Sequence, residues 1–182
     1  MKQGARGHDV DLPLVSPYTL SVSGQNSSVR PADEYLLTMV VYVDGLCEPV
    51  NPGGTATYGY AIRNEADRVI ARKSGVIGKG PEMSNNVAEY AALCEALRLL
   101  ISEKMTRLPI EIRSDSRLLV NQMKGEWKFH KGLYAQEYKE AKGLTSQFER
   151  VKFRWIPREE NKEADALSRE AYFAATKKSG RV

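Results

Sequence analysis

LLTMVVYVDG, residues 36–45, is an almost unbroken apolar and β-branched run that ends on the carboxylate of Asp44. Such a run marks a central strand buried on both faces, because a half-exposed strand would alternate apolar with polar. Working outward, residues 45–55 read as a loop rich in Gly and Pro. Residues 58–63 and 68–77 then read as two strands joined by a turn at 64–67. Ser84 is placed to cap a helix reaching about Lys104, along which Val87, Tyr90, Ala91, Cys94, Leu97, Leu100 and Ile101 form one apolar stripe. Residues 109–114 read as strand, 116–123 as a short helix and 132–148 as a longer one. Residues 151–156 read as a fifth strand and 160–176 as a final helix. The order βββαβααβα predicts an α/β fold, a mixed five-stranded sheet flanked by helices.

The 182 residues leave room for one full domain of roughly 100–200 residues. With 42% hydrophobic and 27% charged residues the chain reads as globular, neither disordered nor membrane-embedded. No run reaches the roughly 18 apolar residues of a membrane span, and the polar start has no signal-peptide core. Two cysteines (Cys47, Cys94) and two histidines exclude a disulfide framework and a structural zinc site, so a cytoplasmic setting is expected. The net charge is +4, of which residues 1–34 carry −1 and the rest +5. The mild lean toward polyanions therefore belongs to the folded part. Residues 1–35, with Pro13, Pro17, Pro31 and a polar run at 21–28, read as a flexible extension holding at most a short strand near 18–22. The folded domain is expected at 36–176 and a basic tail at 177–182.

Four acids stand at telling places. In such a sheet the first and fourth strands can lie parallel and adjacent, opening a crevice at their carboxyl ends. Asp44 is expected to end the first strand and Asp115 the fourth, with Glu89 one turn into the long helix and Asp165 near the start of the last. Converged carboxylates repel, and so hold protons or bind cations; an all-oxygen set suits Mg²⁺ or Mn²⁺. Singly, three of them have plainer roles. Asp44-Gly45 makes a turn, Asp115 caps a helix starting at Ser116, and Asp165 pairs on a solvated face with Arg169 four residues on. Glu89, set among Val87, Tyr90 and Ala91, is the hardest to explain this way. The plain roles do not account for all four together.

The residues around these acids are more specific. Asp44-Gly45 is followed by Asn51-Pro52-Gly53-Gly54, Tyr58-Gly59-Tyr60-Ala61 and Asn85-Asn86-Val87-Ala88-Glu89-Tyr90. Next come Ser114-Asp115-Ser116, Trp155-Ile156-Pro157 and Asn161-Lys162-Glu163-Ala164-Asp165. This ordered set, with Asn four residues before both Glu89 and Asp165, closely resembles the type 1 ribonuclease H family over about residues 37–175. The resemblance implies a sheet of order 3-2-1-4-5 and places Asp44, Glu89, Asp115 and Asp165 at the family's catalytic and metal-binding positions. It implies hydrolysis of the RNA strand of an RNA–DNA hybrid, leaving 3′-hydroxyl and 5′-phosphate ends. Two Mg²⁺ ions roughly 3.5–4 Å apart, with Mn²⁺ as a possible substitute, would clamp the scissile phosphate. Asp44 would bridge both ions, Asp115 and Asp165 would steady them, and Glu89 would serve the leaving-group side.

By the same resemblance Cys47, Asn51, Asn85 and Asn86 correspond to residues that touch the two strands in the minor groove, where RNA displays its 2′-hydroxyls. Their plainer roles are a small loop residue, a turn before Pro52 and support of the helix cap. Residues 124–131 interleave Lys and aromatic side chains, which makes Trp127, Lys128 and Lys131 candidate strand contacts; the alternative is a solvated loop with Trp127 over the core. Two departures stand out. The loop before the last helix lacks the histidine many members carry, leaving Arg158 and Glu159 there, and the basic protrusion is shortened to 124–131. Both resemble the compact branch of the family. A monomer is expected, without membrane attachment and with double-stranded RNA as a further conceivable partner. The competing readings are a catalytically silent nucleic-acid-binding module, disfavoured by four intact acids, and a domain derived from a reverse transcriptase, disfavoured by the short preface and the start at Met1.

Overall fold

The apolar run becomes the middle strand of the sheet. The structure, a computed structural model, describes residues 38–179. Strands β1 (Met39–Glu48), β2 (Thr55–Asn64), β3 (Val69–Lys79), β4 (Ile110–Ser114) and β5 (Val151–Trp155) form one sheet in the order β3-β2-β1-β4-β5. Helices α1 (Asn85–Ser102), α2 (Arg117–Lys124), α3 (Ala135–Thr145) and α4 (Lys162–Ser179) flank it, with a single 3-10 turn at Arg158–Glu160 before α4. β1 runs antiparallel to β2 and parallel to β4, and β4 runs parallel to β5. The predicted mixed five-stranded α/β arrangement is the one observed.

Side-chain alternation along β1 divides the molecule into two faces. Met39, Val41 and Val43 point into a core with Tyr60 and Ile62 of β2, Ile112 of β4 and Val87, Tyr90, Leu93 and Leu97 of α1. Asp44 belongs to the opposite face and lies across the ladder from Gly59, where α4 packs over β1, β2 and β3. Two glycines let the helices come this close. A Cβ on Gly45 would stand 2.2 Å from the Glu89 backbone nitrogen, and one on Gly59 would stand 2.5 Å from both the Ala164 carbonyl and the Ser168 nitrogen. Glu163 at the start of α4 is gripped by Arg63 of β2 and Arg72 of β3.

Several boundaries differ from the sequence expectation. β1 does not end at Asp44: residues 45–48, expected as loop, pair with 55–58 and so satisfy their backbone groups in the ladder. The loop is confined to 49–54. α3 is shorter than 132–148, because its last turn closes through i→i+3 bonds at Gln147 and Phe148. α4 continues to Ser179, so the expected tail at 177–182 begins as helix. The expected extension at 1–35, the short strand near 18–22, Leu36 and Leu37 of the first strand, and residues 180–182 lie outside the described residues. No helix among the described residues is long and apolar enough to cross a membrane.

The close helix approaches give a test. Gly45→Ala and Gly59→Ala each force backbone apart and are expected to cost roughly 1–3 kcal/mol or more in a denaturant melt. Gly143→Ala, within α3 and with nothing near its missing Cβ, is expected to stabilise by about 0.5–1 kcal/mol. Equal responses at the three positions would contradict this packing.

Candidate active site

The β1/β4 register brings the first two acids together. Met39 pairs with Ile110 and Tyr42 with Arg113; carried two residues further, the same register sets Asp44 beside Asp115 on one face. The pairing stops at Tyr42 and Arg113, and β4 ends at Ser114, so the two carboxylates stand where the strands part. Glu89 reaches the same place from the other side, because α1 presses its backbone onto Gly45. One carboxylate oxygen from each of Asp44, Glu89 and Asp115 lies within 4.8 Å of the others.

Asp44 is buried, and the Ser168 hydroxyl of α4 donates to its Oδ2. Asp115 Oδ1 accepts from Asn161 Nδ2 at 2.7 Å, and its carbonyl accepts from Trp155 Nε1 at 3.0 Å. Asp115 is not the cap of α2: Ser116 fills that role, its hydroxyl accepting from the Leu119 N–H. Glu89 Oε2 is enclosed and has no hydrogen-bond partner among the described residues. Asp165 stands outside the close triad. Arg158 Nη2 donates to it at 2.6 Å and Arg169 Nε at 2.9 Å, so the expected i,i+4 pair exists and a second arginine joins it.

These surroundings split the acids into two kinds. Burial, and then the charges of Asp115 and Asp165, push Asp44 up to about 6 against the Ser168 hydrogen bond. Burial and the charges of Asp44 and Asp115 push Glu89 well above the usual carboxylate range. Burial alone would raise Asp165 as well, but its two arginines outweigh it and hold that carboxyl low. Three close oxygens, an orphaned Glu89 Oε2 and no Cys or His form a donor set that fits a hard divalent cation.

The candidate strand-contacting residues fall into two groups. Asn51 Oδ1 accepts from the Asn85 N–H at 3.0 Å and Asn85 Oδ1 accepts from the Cys47 N–H at 2.7 Å, tying the 49–54 loop and β1 to the start of α1. Cys47 is a strand residue rather than a loop one, and its alternation turns the thiol inward against Ala56 and Ala88. The buried thiol donates to the Val50 carbonyl at 3.5 Å. Asn86, Trp127, Lys128 and Lys131 instead line one groove of about 630 Å³ together with Gln122 and Tyr134. Trp127 is 48% exposed, so it does not cover the core. Buried Gln122 holds this segment, donating to the Lys128 carbonyl and to Tyr134 Oη while accepting from Tyr90 Oη at 2.8 Å.

Sequence reasoning missed Ser168, Gln122 and the amide role of Asn161. Ser168 lies three residues after Asp165, a spacing that shares a helix face and could have drawn notice. Gln122 left no such signal.

Residues 43–171 match the family described as Reverse transcriptase-like. The bifunctional protein Rv2228c of Mycobacterium tuberculosis is 36% identical over 126 residues, covering 69% of this chain and 33% of that protein. Its N-terminal RNase H domain, solved as a fusion with maltose binding protein, superposes with a TM-score of 0.70 at 33% identity over 79% of this chain and 99% of that one. Ribonuclease HI of Halobacterium salinarum is 32% identical over 130 residues, covering 71% of this chain and 62% of that protein. LC11-RNase H1, isolated from compost and solved in complex with an RNA/DNA hybrid, gives a TM-score of 0.68 at 32% identity over 76% of this chain and 99% of that one. The chain thus spans about a third of the length of the mycobacterial protein but nearly all of its RNase H domain. By fold, strand register and sequence, this chain belongs to the Reverse transcriptase-like family and carries a type 1 RNase H-like domain.

Proposed function

We propose that this chain is a ribonuclease H that hydrolyses the RNA strand of RNA–DNA hybrids by a two-metal-ion mechanism with Mg²⁺, Mn²⁺ serving as substitute. One observation carries the reading: three carboxylates from β1, α1 and the end of β4 meet within 4.8 Å, one of them with a buried oxygen that has no partner. Uncompensated acids so placed weaken a fold, and a bound cation is the natural compensation. The silent-module alternative has no use for that arrangement. The solved complex of a similar protein with an RNA/DNA hybrid supports the substrate class.

Asp44, Glu89 and Asp115 would hold the ions, and Asp165 would complete the set from α4. Bound Mg²⁺ would supply the charge that activates the attacking water and stabilises the departing 3′ oxygen. The chain itself orients the substrate. Lys128 and Lys131 would neutralise phosphates along the groove while Trp127 offers an exposed ring for stacking. Asn86 would read the minor groove, its amide able both to donate to and to accept from a 2′-hydroxyl. Asn51 and Asn85 would shape that approach through their backbone hydrogen bonds. In the loop where many members of the resembling family carry a histidine, this chain has Arg158 and Glu159; Arg158 joins Arg169 in holding the Asp165 carboxyl low. The active unit would be residues 36–176, acting as a monomer. Two free, buried thiols suit a cytoplasmic setting.

Labelled hybrid, double-stranded RNA and single-stranded RNA, each with chelator or Mg²⁺, test the activity. Cleavage of hybrid that requires Mg²⁺ is expected, and double-stranded RNA serves as the comparison that sets selectivity. Asp44→Asn and Asp115→Asn are expected to lower turnover at least about a hundredfold while hybrid binding persists. Near wild-type turnover by either variant defeats the site assignment.

Binding across salt concentrations separates the groove's roles. Lys128→Ala or Lys131→Ala should flatten the slope of log affinity against log salt by up to about one. Asn86→Ala should slow hybrid cleavage at saturating protein and leave that slope unchanged. A lysine variant with the wild-type slope removes that residue from the phosphate path.

The raised Asp44 pKa gives a stability test in chelator. An acid whose folded pKa lies above its unfolded value favours the fold most below the unfolded value, near 4, and loses stability as pH rises through about 6. Asp44→Asn should therefore raise the chelated protein's stability by up to roughly 2–3 kcal/mol at about pH 8, with no gain near pH 4. A lower melting midpoint at the higher pH would contradict the burial of an uncompensated carboxylate.

A further inference from the structure

We infer that α4 and the residue just before it position the acid cluster: Ser168 and Asn161 each hold one oxygen of a strand-end carboxylate and leave its other oxygen to a bound ion. The inference rests on the metal-site reading above and assigns roles to two residues that need not touch ion or substrate.

Ser168 is fully buried, and its single hydroxyl proton lies within reach of Asp44 Oδ2 and of the Asp165 carbonyl. The carboxylate is the closer acceptor and, when ionised, the stronger one. Helix position is fixed independently, because Thr57 Oγ1 donates to the Ser168 carbonyl at 2.9 Å and Gly59 admits the helix backbone. Ser168 is therefore not needed to dock α4. Its hydroxyl points at Asp44 because the helix is already held there.

Asn161 is also fully buried. Its Nδ2 has two protons and uses both, one on the Val43 carbonyl at 3.0 Å and one on Asp115 Oδ1 at 2.7 Å. Turning the amide over would set its oxygen against two acceptors, so this orientation is fixed. Asn161 Oδ1 is left buried without a hydrogen-bond partner among the described residues. A purely structural residue would avoid that loss. One side chain thus ties Asp115 to the β1 backbone just before Asp44, while Ser168 holds Asp44 itself. Both donors are neutral, so they fix the carboxylates without cancelling the charge a cation needs. Asp165 differs in pairing with two charged donors, Arg158 and Arg169.

The test uses the full chain, stripped with chelator and titrated with Mn²⁺ by calorimetry, alongside hybrid cleavage and a chelated thermal melt. Ser168→Ala and Asn161→Ala are each expected to weaken Mn²⁺ binding about tenfold or more, in line with the loss of groups that orient metal ligands. At fixed low Mn²⁺, kcat should fall while KM for hybrid stays put. Thr176→Ala, which removes an exposed hydroxyl from the same helix, should match wild type in every readout. Ser168→Ala replaces a small residue in mid-helix by a better helix former, so the fold should persist. Superimposable Mn²⁺ isotherms for wild type and Ser168→Ala overturn the inference while leaving the ribonuclease reading intact. So does a lowered chelated melt with unchanged Mn²⁺ affinity, the result of a merely structural role. A wild-type chain that takes up no Mn²⁺ and cleaves no hybrid overturns both.

Discussion

The parting of two parallel strands governs this molecule. β1 and β4 are hydrogen-bonded only as far as Tyr42 and Arg113, and their register makes Asp44 and Asp115 the next pair on a shared face. A slip of one residue would send those carboxylates to opposite sides of the sheet. Beyond the split β1 continues alone with β2, while β4 gives way to Ser116 and α2. Everything else at the site is arranged around that gap. Gly45 admits α1 on one face, which carries Glu89 in, and Gly59 admits α4 on the other, which carries in Asp165 and Ser168 with Asn161 just before its first turn.

Bringing acids together costs stability, and the chain meets that cost differently at different acids. Asp165 and Glu163 are held by arginines: Arg158 and Arg169 on the one, Arg63 and Arg72 on the other. Those pairs are local compensation, and they anchor the start of α4. Asp44 and Glu89 have no cationic partner in contact among the described residues. Burial and mutual repulsion favour their protonated forms, which is the condition of a site that gains by binding a cation. The basic groove at 127–131 lies apart from this cluster and is held by a neutral network through Gln122, Tyr90 and Tyr134. Since Tyr90 follows Glu89 in α1, one helix supports both the acid cluster and the groove.

Much of this was legible in the chain alone. The apolar run at 36–43 announced a buried central strand, the stripe from Val87 to Ile101 announced the long helix, and Ser84 marked its start. The four acids stood out because each lay at an expected strand or helix end. Such signals are local: periodicity and capping depend on residues a few positions apart. Errors at boundaries were local too. The 45–48 stretch looked like loop from its composition, yet Thr55–Tyr58 offered it a ladder that no short window reveals.

Tertiary structure alone decided how the acids differ. Ser168 lies 124 residues from Asp44, Asn161 lies 118 from Val43 and 46 from Asp115, and Cys47 lies 38 from Asn85. Contacts at such separations leave no period to read, so neither the oxygen each donor takes nor the inward turn of Cys47 was visible beforehand. Sequence determined the order of elements and which acids stand at their ends, because backbone pattern follows from neighbouring residues. Only the fold decided that three acids meet in a triad, that Asp165 is claimed by two arginines, and that Asn86 shares a groove with Lys128, because those outcomes depend on where distant backbones are forced to meet.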